Sequence, residues 1–94
     1  MTDVEHIEYY ENGDISYKCS YLDGKRHGEF IYYFTSGEIS CKINYLHDKF
    51  HGESIYYYRS GKIDFKFYYI DDKFVSEFEW ISYNRNLTLE LLWL

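Results

Sequence analysis

The sequence predicts an all-β protein, a single extended antiparallel β-meander of stacked hairpins with about eight strands. A repeat of 24 residues runs through the chain without gaps, and each repeat holds two turn signals. The stretches between turns are rich in Tyr, Phe and Ile in near alternation with polar residues, which is typical of strands. The chain has no Pro, as expected where every strand donates hydrogen bonds to two neighbours.

The repeats divide the chain into one predicted domain, 1–94. Three full units cover residues 7–30, 31–54 and 55–78, and each adjacent pair of units shares 12 identities in 24 positions. A fourth, partial unit is predicted over 79–94. Its alternating apolar residues fall in the columns of the strand that begins at Ile15; they are Leu87, Leu89, Leu91 and Trp93.

Each unit predicts two hairpin turns of two residues. One kind carries Gly at its second position, which tolerates a positive φ; the three turns are Asn12-Gly13, Ser36-Gly37 and Ser60-Gly61. The other kind is strong at Asp23-Gly24 and weaker at His47-Asp48 and Asp71-Asp72.

These turns fix a predicted register and two faces of the sheet. The register places opposite charges across neighbouring strands at Lys18–Glu29, Lys42–Glu53 and Lys66–Glu77, which favours pairing. One face is predicted to carry about twenty apolar residues, among them Tyr32, Tyr56, Phe65 and Trp80. The other carries the charged pairs and two stripes, one of Ile and one of Tyr; the Tyr stripe is Tyr9, Tyr33 and Tyr57.

Composition and charge exclude several classes of protein. With 94 residues and 23% aromatic residues, the chain is neither a disordered tail nor a multidomain protein. The net charge of −6 argues against nucleic acid as a partner, because phosphate binding needs Lys and Arg. The first residues are acidic and hold no apolar run, so no signal peptide is expected and a cytoplasmic location is predicted. In a reducing cytoplasm Cys19 and Cys41 should be free thiols, about 9–10 Å apart across an intervening strand.

No catalytic, metal or cofactor site is predicted. His27 and His51 recur in one column, but they lie two strands apart, beyond the geometry of a shared zinc ion. Asp71 and Asp72 form a turn, and no glycine-rich phosphate loop or nucleophile–base arrangement can be found. We therefore predict that the protein is not an enzyme and has no small-molecule substrate.

Two segments carry a resemblance to a known family. The segments DGKRHGEFIYYFTSGEI (23–39) and DKFHGESIYYYRSGKI (48–63) resemble MORN repeats, and within them the YwqK-type antitoxin-like branch. The matching positions in the first segment include Lys25, His27 and Gly28. The third unit departs from the pattern, with Val75 and Ser76 in place of His and Gly. The resemblance implies a meander of stacked hairpins and a non-enzymatic role in scaffolding, partner binding or lipid contact.

These features predict a scaffold module that binds a protein partner or a second copy of itself. Uncovered apolar surface of this size marks an interaction site unless the sheet coils to cover it. The predicted binding residues are Tyr9, Tyr33, Tyr57, Tyr32, Tyr56 and Trp80. The hydrophobic last strand, with Leu87, Leu89, Leu91 and Trp93, is predicted to be a dimerisation edge. Two alternatives stay open: an antitoxin that neutralises a toxin by direct binding, and a lipid-contacting scaffold, which the acidic charge disfavours.

Overall fold

A computed structural model describes the backbone of residues 3–92 and the side chains of residues 3–87. This part of the chain forms eight strands and one helix. They are β1 (Asp3–Tyr9), β2 (Ile15–Leu22), β3 (Lys25–Arg26), β4 (Gly28–Tyr33), β5 (Ile39–Leu46), β6 (Lys49–Tyr57), β7 (Ile63–Ile70), β8 (Lys73–Val75) and α1 (Glu77–Leu92).

The strands form one open antiparallel sheet in the order β1-β2-β4-β5-β6-β7-β8, with β3 also paired to β2. Every hairpin joins neighbours along the chain, so the predicted meander of about eight strands is confirmed. The radius of gyration is 15.5 Å, whereas a compact domain of this length would have about 12 Å. The sheet is therefore extended, as a stack of hairpins along one axis should be.

The two kinds of turn differ in length. Both turn residues have positive φ at Asp23-Gly24, His47-Asp48 and Asp71-Asp72, as two-residue hairpin turns require, which confirms this prediction. The other three turns have three residues rather than the predicted two. In the first, the N–H of Tyr10 donates to the carbonyl of Asp14, and Gly13 closes the loop with φ +92. A Gly is needed there because this loop type ends in a left-handed residue.

A bulge after each of the first two two-residue turns shifts the strand register. Arg26 pairs with Tyr21 as the turn dictates, but Lys18 then lies opposite Ile31 instead of Glu29. Two extra residues, accommodated around Gly28 with φ +83, cause the shift. The predicted pairs Lys18–Glu29 and Lys42–Glu53 are therefore wrong as directly opposed positions, and Lys66–Glu77 is wrong because Glu77 lies in α1. The Lys66 ammonium instead contacts Glu53 on β6, at 3.0 Å.

The chain leaves the sheet at Ser76, where a helix replaces the predicted strands of a fourth unit. The Ser76 hydroxyl accepts a hydrogen bond from the N–H of Glu79, and the Glu79 carboxylate accepts one from the N–H of Ser76. This reciprocal capping box starts a helix, and Glu77 adds a second acidic residue to its first turn. Among the described residues, no helix combines the length and apolar character needed to cross a bilayer.

The predicted edge strand at the end of the chain is consequently wrong. Residues Leu87, Leu89 and Leu91 lie within α1, so their alternation does not form a strand. Trp93 and Leu94 lie outside the described residues. The described part of α1 therefore offers no strand edge for dimerisation.

Candidate functional site

Strand alternation divides the sheet into an aromatic face and a mixed face. The aromatic face carries Tyr17, Cys19, Phe30, Tyr32, Cys41, Ile43, Tyr45, Phe50, Tyr56, Phe65, Phe67, Tyr69 and Phe74. The mixed face carries Ile7, Lys18, Ile31, Tyr33, Lys42, Glu53, Ile55, Lys66 and Tyr68. The sequence-based assignment of apolar residues to this face does not include Tyr45, Phe50, Tyr69 and Phe74, which the structure adds.

A continuous row of rings crosses the aromatic face. Phe30 stacks with Tyr17 at 5.5 Å between ring centroids and meets Tyr45 edge-on at 5.4 Å. The row continues through Phe50, 5.1 Å from Tyr45, to Tyr69 at 5.2 Å. Each contact adds to the burial of its neighbours, because offset and edge-to-face ring pairs attract beyond their shared area. Rings on adjacent strands thus cover one another in place of a second layer.

This arrangement buries only a few side chains. On the aromatic face, Cys19, Phe30 and Cys41 are less than a tenth exposed. Tyr32 and Tyr56, two predicted binding residues, remain 37% and 40% exposed on the same face. The aromatic face is therefore core at its centre and an open surface around it. Burial raises the pKa of both tyrosines.

The predicted Tyr stripe lies on the mixed face. The ring of Tyr33 lies on the same face as Lys18, because the Lys18 ammonium is 5.9 Å from the centre of that ring. Tyr9 is 59% exposed, whereas Tyr33 and Tyr57 are half-buried. The backbone carbonyl of Tyr33 also accepts a hydrogen bond from the hydroxyl of Tyr10, at 2.5 Å. This bond joins the start of the first three-residue hairpin to the strand that leads into the second.

The prediction that Trp80 extends the aromatic face as part of a fourth unit is wrong. Trp80 lies in α1 and packs on the mixed face, where its ring stacks with Tyr68 at 6.3 Å and with Tyr83 at 5.8 Å. Gly52 lies next to it, since a Cβ on this residue would be in van der Waals contact with the Trp80 ring, at 3.8 Å. The helix therefore covers part of the mixed face and leaves the aromatic face open.

Aspartates in the turns link neighbouring repeats, a feature that the sequence-based reasoning missed. The Asp48 carboxylate accepts hydrogen bonds from the backbone N–H and the side chain of Arg26, at 2.8 and 3.0 Å. One repeat later, the Asp72 carboxylate accepts a bond from the N–H of Phe50, at 2.7 Å. Hydrogen bonds from Arg26 hold the pKa of the Asp48 carboxyl below its usual range. The equivalent residue in the first unit is Gly24.

The polar and nucleophilic side chains form no reactive cluster in the described part of the chain. Both cysteines are free, as predicted, and burial raises the pKa of each thiol, which opposes a nucleophilic role. No group of three or more His, Cys, Asp or Glu among the described residues is placed to hold a metal ion. The His27 and His47 rings are 6.4 Å apart, and the Nδ1 of His51 accepts a bond from the N–H of Asp71. His51 thus supports the turn at Asp71-Asp72.

Comparisons with known proteins agree with the repeat geometry. The model of a MORN repeat variant matches residues 2–23, 26–47 and 50–71, which together make up more than half of the chain. The matched segments begin 24 residues apart, like the units of the sheet. No curated protein and no solved structure gives a significant match. The narrower resemblance to YwqK-type antitoxins stays a prediction.

Proposed function

The chain belongs to the MORN repeat variant family, and from this premise we propose that it is a non-catalytic scaffold that binds a protein partner through its aromatic face. Repeats of this family generally serve as modules that bind proteins or membranes. The observation that carries the proposal is the openness of the aromatic face: α1 packs on the opposite side of the sheet. The rings of Tyr32 and Tyr56, which are 37% and 40% exposed, therefore lie on an open face of the sheet.

The chemistry of this surface suits a protein more than a membrane. Tyr offers a large, rigid area with a hydroxyl that can donate or accept a hydrogen bond, and such residues are enriched at protein interfaces. Tyr32 and Tyr56 occupy equivalent positions one repeat apart, so a partner that contacts both would bind across strands. The net charge of −6 weakens attraction to acidic lipids. Lipid contact is therefore the weaker alternative.

Neighbouring tyrosines give a matched test of this surface. Tyr56 and Tyr57 are adjacent in the chain but lie on opposite faces, and the same holds for Tyr32 and Tyr33. A photo-crosslinking amino acid is placed at each position in turn, and the captured partner is then purified and titrated against the protein. We expect capture from Tyr32 and Tyr56, and a loss of about tenfold or more in affinity for Tyr56→Ala.

The same experiment can overturn the proposal. Capture from Tyr33 and Tyr57 alone, with unchanged affinity for Tyr56→Ala, would assign binding to the mixed face and contradict it. The antitoxin alternative differs only in the partner that it specifies. That partner is a cytoplasmic toxin, which binds to the same surface. Co-expression with a toxic neighbouring gene tests it, because rescue of growth should disappear in the Tyr56→Ala variant and persist in Tyr57→Ala.

A further inference from the structure

The chain exposes more surface than a compact protein of its mass. Its accessible surface is 6893 Å² at 11.6 kDa, whereas a compact monomer of this mass exposes about 5,800 Å². The excess is about 1,000 Å². Each partner in a standard protein interface buries about 800 Å². The excess is therefore large enough to supply one side of a stable dimer interface.

Part of this excess is apolar and lies on the aromatic face. Tyr32, Tyr56, Phe65 and Phe74 are between 37% and 61% exposed. At about 150–250 Å² for each ring side chain, these four residues expose about 400 Å². A sheet normally buries its apolar face against a second layer, but α1 packs on the opposite face. The described part of the chain thus supplies no second layer for the aromatic face.

Two rows of side chains cross the aromatic face at right angles to the strands. In the first row, neighbouring strands pair directly at Glu8, Tyr17, Tyr32, Cys41, Tyr56 and Phe65. The next row contains Phe30, Ile43, Ser54 and Phe67. From β2 to β7, neither row holds a charged side chain. The centres of homodimer interfaces have this composition, with many aromatic residues and few charges.

We propose that the aromatic face packs against the aromatic face of a second copy of this chain, as the two sheets of a sandwich do. This specifies the partner in the proposed function and therefore rests on it. In the sheet order β5 is the central strand, so a two-fold axis above β5 and parallel to it superposes the two sheets. The axis sets Tyr32 against Tyr56 of the second copy, and Tyr17 against Phe65. In each copy α1 lies on the outside.

Charge favours this axis over one that runs across the strands. Strand β1 carries three acidic residues and no Lys or Arg. Strands β7 and β8 carry Lys66 and Lys73 against a single acidic residue, Asp64. The axis along β5 brings β1 of each copy near the β7–β8 end of the other, so ends of opposite net charge meet. An axis across the strands would instead place the two acidic β1 strands together.

A lysine near the centre of the face tests the dimer. Sedimentation across a concentration series of the full chain should show a species at twice the monomer mass of 11.6 kDa. Tyr56→Lys buries an ammonium against Tyr32 of the second copy, so we expect the dissociation constant to rise about tenfold or more. Tyr57→Lys, on the mixed face, is the matched control and should dimerise like wild type. Circular dichroism and urea unfolding identify any variant that has lost its fold.

Mixing two single variants tests the axis. Tyr56→Lys and Tyr32→Glu each weaken their own dimer. In a mixed dimer about the proposed axis, the new ammonium faces the new carboxylate, and the unchanged Tyr32 and Tyr56 still meet. We therefore expect the mixture to associate more tightly than either variant alone. A mixture of folded variants that associates no more tightly would contradict the proposal.

Crosslinking at Tyr56 distinguishes a failure of the dimer from a failure of the proposed function. A wild-type monomer at high micromolar concentration, or equal weakening by Tyr56→Lys and Tyr57→Lys, would overturn the dimer. If Tyr56 then captures a different protein, the proposed function stands without the dimer. Capture of a second copy from Tyr56 would support both, and capture from Tyr33 and Tyr57 alone would contradict both.

Discussion

Replacing Phe30 by Ala tests whether a row of rings on a one-layer sheet acts as a hydrophobic core. Phe30 is 8% exposed and its ring contacts Tyr17, Tyr32 and Tyr45. Complete removal of a buried Phe costs about 3–5 kcal/mol. We expect about 3 kcal/mol here, at the lower end, because a cavity on an open face can be filled by water or by neighbouring rings.

Phe74→Ala is the matched control, because Phe74 belongs to the same row but is 61% exposed. With much less of its surface removed from water, it should cost only about 1 kcal/mol. Both losses are measured by urea unfolding at a concentration where the protein is monomeric. Phe30→Leu, expected to cost about 1.5 kcal/mol or less, keeps the comparison possible if the Ala variant does not fold. Equal losses for the Phe30→Ala and Phe74→Ala variants would refute the reasoning.

Three further predictions concern the helix start, the bulge and the repeat contacts. Ser76→Ala removes the cap of α1 and should cost about 1 kcal/mol in urea unfolding, with less helix signal. Gly52→Ala and Gly28→Ala each place a Cβ at a left-handed φ, +101 and +83, so each should cost about 1 kcal/mol or more in urea unfolding. The Asp48 carboxyl has a lowered pKa, so its stabilisation holds above about pH 4 and is lost as the pH falls below that value. The difference between the urea midpoints of wild type and Asp48→Ala should therefore stay constant from pH 6 to about pH 4 and shrink below that pH; a difference that does not shrink in acid would contradict this.

Much of the sheet could be predicted because it depends on local signals that recur. Asp23-Gly24 and its counterparts fix two-residue turns, and alternation between turns assigns most residues to their faces. The register could not be predicted from these turns alone. It depends on a left-handed residue at Gly28, which inserts two residues that turn chemistry does not reveal. A Gly that follows His at the same column in two repeats was the available signal for a bulge.

The helix was missed although the sequence contains its start signal. Ser76 and Glu79 have capping-box spacing, whereas the alternation of Leu87, Leu89 and Leu91 predicts a strand. The first unit has Gly24 where the next two units have Asp48 and Asp72. The role of these two aspartates becomes clear only from the preceding repeat, which donates a hydrogen bond to each carboxylate. A left-handed Asp is less favourable than Gly within its own turn, and the hydrogen bonds to the previous repeat offset that cost.

The central claim is that α1 covers the mixed face and leaves the aromatic face open. Nuclear Overhauser contacts of the Trp80 ring in the isotope-labelled full chain test it most directly. We expect contacts from the Trp80 ring protons to the Gly52 Hα protons and to the Tyr68 ring, which lie on the mixed face. Contacts from Trp80 to Tyr56 or Phe67 would place the helix over the aromatic face and contradict both the fold and the proposed binding surface.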